Sequence, residues 1–436
     1  VITTREQLAG AASLERSAAP SVVHVVDPET SGQEPLLGAA KATSIGGFAH
    51  HAWVIGGTRS EELAWAYGLR TTDRVVARRA RGPLSILAGL DAIGRLGRAG
   101  VRGAAMGFRR AGLVNLARAR FGAQGRTLAE PDVVVAWSTS AAALARATFA
   151  SECPLLLMCL RGPDGESIER VLRLRGPIMA GAFSPAIAHA WREAGVPGVM
   201  MIDPPALVDP RWGERRAVAR ASLGIGDDEL TIALLADPVA RGDARLFSWL
   251  IGVVHVAGRH ALGVMPAGAS QSRRAARYLR LHGRSWDVLR TEGSSLAMLH
   301  AADVGVWGCE HPSSPGAGGW LLARALGCNG VPVVATDQLG AGELLASEAW
   351  CVVREATMPS FAKALLPLAD DAALRARVGA SLRAALGGAD GVPRIGVAGR
   401  DGSAGGAGFE STMSACLRAT LSLSRATPVG AAGVRS

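Results

Sequence analysis

Short runs of β-branched and aliphatic residues, each followed by a longer segment of helical period, recur along this chain in two successive series. A strand covered on both faces reads as an unbroken apolar run, so the alternation is that of a parallel sheet with crossover helices. In the first series the expected strands are 22–26, 52–55, 74–77, 132–136, 155–160 and 178–182, with helices at 60–67, 84–95, 140–149 and 185–194. The arginine- and glycine-rich stretch 97–126 is also expected to be helical. The second series begins after Asp209, with strands at 231–235, 261–265, 287–289, 304–307, 331–335 and 351–353. Its helices are expected at 244–254, 272–281, 320–327, 359–366 and 372–386.

A chain of 436 residues exceeds one ordinary hydrophobic core. Two series therefore predict an α/β protein of two facing, doubly wound, Rossmann-like domains, residues 1–205 and 206–386. Ligands of such sheets bind beyond the carboxyl ends of the strands, where the strand order reverses. Residues 387–408 are rich in Gly, Ala and Asp and read as a flexible linker. A helix is expected at 409–421, with 422–436 a disordered tail.

The formal charge of +10 raises the question of a nucleic-acid partner. Its bases are nearly all arginine, with lysine only at Lys41 and Lys363, and they are spread along the chain rather than gathered into a stripe with aromatics. No nucleic acid is expected; the charge suits an anionic phosphate donor or peripheral contact with an anionic membrane. The six cysteines form no CxxC pair and have no histidine at zinc spacing, so neither a metal nor a resident cofactor is expected. Arg5, Glu6, Glu15 and Arg16 stand where a signal peptide would be apolar, and no apolar run reaches spanning length. The expected location is the cytoplasm, with the inner membrane face within reach.

The second half carries a more specific pattern. Arg220-Ala-Ser-Leu-Gly-Ile-Gly-Asp-Asp228 precedes an expected strand, and Ser295 to Trp307 reads as a helix and strand leading into a loop. Gly330-Val-Pro-Val-Val-Ala-Thr-Asp337 follows, then Gly340 and Glu343-Leu344. In this order the segments resemble family-four glycosyltransferases of the GT-B architecture, which are retaining enzymes. The resemblance implies an acceptor-side first domain, a nucleotide-sugar donor domain in the second, and a late helix 409–421 that crosses back to the first. The nucleotide sugar would be a co-substrate and the acceptor is left unidentified.

The same residues make chemical sense as a diphosphate site. Gly316-Ala-Gly318-Gly319 precedes a helix whose first N–H groups and dipole favour an anion. Arg241-Gly242 stands where the family usually has Lys-Gly, and would complete the clamp. Glycines at such a place also serve simply to turn a strand into a helix.

The departures from the family matter as much. Its two donor-site glutamates, eight residues apart, fall on Gly316 and Arg324. Arg324 is then expected either to pair nearby or to reach toward an acidic sugar. Glu343 and Glu310 are the acids left as candidates, and the catalytic group is otherwise unassigned. A cleft histidine common in relatives is replaced by Trp137-Ser138; His50 and His51 are expected to begin a strand, and His300 to be structural. His255 and His260 flank a helix end and are expected to cap carbonyls. Three readings follow: a transferase with an unusual donor, an inactive scaffold or nucleotide-binding partner of an active transferase, and a sugar-nucleotide epimerase of the same architecture. The transferase is preferred.

Overall fold

The computed structural model describes residues 19–27, 34–54, 69, 131–149, 152–196, 198–235, 244–266, 277, 288–291, 295–307, 319–336, 351–353, 357–387 and 408–426. Two six-stranded sheets organise them, and every strand pair is parallel.

The first sheet holds β1 (Ser21–Val26), β2 (Ala49–Val54), β3 (Val133–Ala136), β4 (Leu155–Cys159), β5 (Ile178–Ala182) and β6 (Val199–Met201), in the order β2-β1-β3-β4-β5-β6. Strands β3 and β4 are buried at every residue, which is why they read as plain apolar runs. The second sheet holds β7 (Leu230–Leu235), β8 (Ala261–Pro266), β9 (Val288–Thr291), β10 (Val304–Trp307), β11 (Val333–Thr336) and β12 (Cys351–Val353). Its order, β12-β11-β10-β7-β8-β9, is the 3-2-1-4-5-6 order of dinucleotide-binding sheets when counted from β7.

The first sheet's helices are α1 (Glu34–Ala42), α2 (Thr139–Thr148), α3 (Gly165–Leu172) and α4 (Pro185–Glu193). Ser138, Asp164 and Ser184 cap the last three, each side chain accepting a backbone N–H three residues on. Helix α5 (Trp212–Ser222) leads into the second sheet, whose helices are α6 (Ala244–Val256), α7 (Ser295–Ala301), α8 (Trp320–Cys328), α9 (Met358–Asp370) and α10 (Ala372–Gly387). Helix α11 (Phe409–Ala426) returns to pack on β3, β4 and β5 of the first sheet. It continues through 422–426, residues expected to belong to the tail, because Leu421 and Leu423 still pack against the core.

One buried cluster joins the two sheets. It contains Leu36, Trp137 and Phe183 from the first half, Trp307, Trp320 and Leu321 from the second, and Met413 and Leu417 of α11. Burial of three indoles and a phenyl ring is a large apolar contribution, so a shared apolar core joins the halves here.

Several elements differ from the expectations. The second strand starts at Ala49, ahead of the expected 52, and so takes in His50 and His51, the histidines expected to begin a strand. Strand β6 and helices α1, α3 and α5 are additional. Helix α5 leads into β7, and its arginines are used inside the fold. Arg220 is 3% exposed; its guanidinium donates to Thr231 Oγ1, to the carbonyls of Ala301 and Glu229, and to Asp303. The expected elements at 60–67, 74–77, 84–95 and 97–126, most of 272–281, and the linker residues 388–407 lie outside the described residues. No helix among the described residues is long and apolar enough to cross a membrane.

Candidate functional site

At the carboxyl edge of the first sheet, the chain leaving β3 and β4 encloses a cavity of about 410 Å3. Ser138, Thr139 and Ser140 bring the N-terminus of α2 to it, and Ser167 that of α3. Ser138 Oγ accepts the Ala141 N–H at 3.0 Å and lies 2.9 Å from Ser140 Oγ. Arg170 donates to Thr139 Oγ1 at 3.2 Å and pairs with Glu166. Burial pushes the Asp164 carboxyl up, but hydrogen bonds from Ser167, with Arg161 and Arg170 nearby, outweigh it and hold the group below the ordinary carboxylate range. Cys159, also in the wall, is pushed far up by burial and is a thiol at neutral pH, so it supplies no thiolate nucleophile.

Trp137 lines the cavity and is fixed by a chain of hydrogen bonds. Its indole N–H can only donate, and it donates to His24 Nδ1 at 3.2 Å. Neutral His24 then carries its proton on Nε2, which faces His50 Nδ1 at 2.9 Å. His50 in turn donates from Nε2 to the Ile45 carbonyl at 3.0 Å. Each tautomer is dictated by the next partner. Burial first, and the neighbouring His50 second, lower the His24 pKa to about 3.

Glu34 also lines the cavity, 4% exposed, as the first residue of α1. Its two carboxylate oxygens accept the backbone N–H groups of Gly319, at 2.9 Å, and Leu321, at 2.6 Å. These are the opening amides of α8, in the other half of the chain. Gly319 adopts φ 103°, a left-handed conformation open to glycine, and has no side chain with which to cap the helix. A carboxylate from 285 residues away therefore takes two of its orphan donors. Beside it the Trp320 indole donates to the Leu160 carbonyl at 2.7 Å and packs 5.1 Å from the Phe183 ring.

Of the donor-site residues singled out from the sequence, Gly319 and Arg324 fall among those described. Arg324 is fully buried on α8. Its Nε donates to the Pro205 carbonyl at 2.7 Å and a terminal nitrogen to the Pro204 carbonyl at 3.3 Å. The guanidinium is directed at the segment that joins the two sheets. Arg241, Gly242, Glu310, Gly316, Gly318 and Glu343 lie outside the described residues. His300 is 5% exposed, 3.4 Å from Asp209 and edge-on to Trp212. His255 lies 2.9 Å from the Ala261 carbonyl. Sequence reasoning missed Glu34; the signal at hand was the Glu34-Pro35 pair ahead of Leu36 and Leu37, a helix start with proline in its first turn. Among the described residues no group of three His, Cys, Asp or Glu side chains could hold a metal ion.

No protein-family model matches the sequence, and no curated relative matches it either. Solved structures do match in shape. HepE from Anabaena, in complex with UDP and glucose, shares 15% identity at a TM-score of 0.56, over 84% of this chain and 94% of its own. Sucrose-phosphate synthase from Thermosynechococcus elongatus shares 16% at 0.51, over 84% and 93%. A UDP-GlcNAc 2-epimerase from Neisseria meningitidis bound to UDP-GlcNAc shares 12% at 0.51, over 82% and 94%. At these identities the likeness is one of fold, and the chain has the α/β GT-B architecture found in glycosyltransferases.

Proposed function

We propose that the chain is a glycosyltransferase of the retaining, family-four type, which moves a sugar from a nucleotide-sugar donor to a hydroxyl-bearing acceptor. The reaction exchanges the bond between the anomeric carbon and a diphosphate oxygen for one to the acceptor oxygen, and the acceptor hydroxyl's proton passes to the departing diphosphate. The observation that carries this reading is the amide pair of Gly319 and Leu321. It is an anion-holding helix terminus, already occupied by a carboxylate, where the two sheets meet and beside a polar cavity. Helix N-termini at sheet junctions are the usual seat of a diphosphate.

In this reading the loop 316–319 and Arg241-Gly242 hold the diphosphate, and Glu343 or Glu310 approaches the sugar. The hydroxyls of Ser138, Thr139 and Ser140, with Arg161 and Arg170, line the acceptor side. The +10 charge suits an acceptor presented at an anionic surface. UDP-sugars head the test panel, because the HepE and epimerase structures hold UDP and UDP-GlcNAc.

The experiment is thermal shift and turnover with neutral and acidic nucleotide sugars, since a ligand of the folded state raises its melting temperature. Turnover with at least one donor is expected. Arg241→Ala should weaken UDP binding by about 1.5–3 kcal/mol, the scale of a charge-assisted contact. Nucleotide binding without turnover of any donor would favour a non-catalytic role.

A further inference from the structure

The geometry points to Glu34 as an internal competitor of the donor: its carboxylate sits on α8 where a donor phosphate has to sit, and donor binding proceeds by exchange of one anion for the other. The inference rests on the reading of α8 as the donor-side helix.

Three observations carry it. First, both oxygens of one carboxylate are used, each on a separate amide of the same helical turn. Two oxygens of a phosphate would make the same contacts, so the two ligands exclude each other. Second, the bond is not a local cap. Glu34 belongs to α1, which follows β1 of the first sheet, and Gly319 and Leu321 belong to the second half. Releasing Glu34 therefore removes one of the ties between the halves. Third, the displaced carboxylate has somewhere to go. An ionised group cannot be abandoned in an apolar core without a cost of several kcal/mol. Glu34 already lines the cavity of about 410 Å3, whose hydroxyls and Arg161 can take the charge. The remaining ties of α8, Trp320 to Leu160 and Arg324 to Pro205, do not involve the two amides and can persist or yield independently.

A residue that merely capped α8 would behave differently. Its removal would weaken the helix and leave nucleotide affinity unchanged or lower. A competitor's removal raises affinity, because the donor no longer has to displace it.

The test is calorimetric titration of UDP into the wild-type chain, Glu34→Gln and Glu34→Ala. Both variants are expected to bind UDP more tightly by roughly tenfold to a hundredfold, the scale of one charge-assisted contact removed from competition. A second measurement uses the wild-type chain alone. Carbodiimide labelling of Glu34, read by peptide mass spectrometry, is expected to be slow without UDP and fast at saturating UDP. Equal or weaker UDP binding by the variants, or a Glu34 that stays unreactive at saturating UDP, overturns the exchange and leaves the donor reading standing. If none of the three folded chains binds UDP, the donor reading falls and the exchange falls with it.

Discussion

Arg324 Nε lies 2.7 Å from the carbonyl oxygen of Pro205, so a helix of the second sheet is tied to the segment that leaves the first. Asn329 at the end of the same helix extends the tie, donating to the Leu207 carbonyl at 2.9 Å and accepting the Asp209 N–H at 2.8 Å. Position 324 thus has a structural use in place of the acid that the family resemblance would put there. Arg324→Met should cost about 2–4 kcal/mol in denaturant unfolding, because two buried carbonyls lose donors. Arg324→Lys should recover little, since an ammonium cannot reproduce the planar fork. UDP affinity of the folded variants should be unchanged. A fall in affinity at unchanged stability would instead assign Arg324 to the donor.

The His24 chain predicts an acid-sensitive fold. Protonated His24 would carry a hydrogen on Nδ1, facing the donor-only indole of Trp137, and burial already opposes the charge. The folded pKa of about 3 lies below the ordinary 6.5. Stability from this group is therefore fully present above pH 6.5 and is lost as pH falls from 6.5 toward about 3, while the unfolded chain takes up the proton. At pH 5.5 the loss is about 1.4 kcal/mol. Urea unfolding at pH 7.5 and 5.5 checks it: His24→Leu should be less stable at both, yet lose about that much less between them.

Much of the fold could be read because parallel strands are buried on both faces. Val304–Trp307 and Val133–Ala136 are apolar at nearly every position and announce themselves. Strand β6 did not, being three residues long between a glycine turn and the joining segment. Helix α5 was hidden by polarity: Arg216 and Arg220 look like solvated charges until Asp303, far along the chain, is seen to receive both. The site divides in the same way. Glycines ahead of a helix mark an anion position from sequence alone, and Gly319 carries that signal. That the anion is Glu34 depends on a tertiary contact across 285 residues, which no local pattern encodes.

Arg220 and Asp303 anchor an interconnected polar group in the second half. Asp303 accepts the Thr231 N–H at 2.8 Å and an Arg216 nitrogen at 2.6 Å, while Arg220 spans it and the loop ahead of β7. Removing Arg220 takes the buried donor from the Ala301 and Glu229 carbonyls and one of the two cations from Asp303, which keeps Arg216 and the Thr231 N–H. Arg220→Met should lower unfolding free energy by about 3–5 kcal/mol. Arg216→Met, on a more exposed partner, should cost clearly less. Equal effects would mean that burial of Arg220 is not what makes the network matter.

Gly38 tests whether the Trp137 wall shapes the cavity. A Cβ built at Gly38 would stand 2.3 Å from Trp137 Cζ3 and 2.8 Å from Cη2, distances no real pair of carbons keeps. The indole cannot retreat freely, because its N–H is bound to His24 and its face lies in the core that joins the two sheets. Gly38→Ala must therefore move α1 or tilt the ring, at a cost of about 1–3 kcal/mol for an overpacked core. Either shift also moves the shared wall and helix on which Glu34 and the Ser138 loop depend. The expected result is a modest drop in melting temperature with a larger loss of acceptor turnover than of UDP binding. Trp137→Phe in the Gly38→Ala background removes part of the clash and should restore some stability, though His24 then loses its donor. A Gly38→Ala protein with wild-type stability and turnover would show that the wall yields and does not define the cavity.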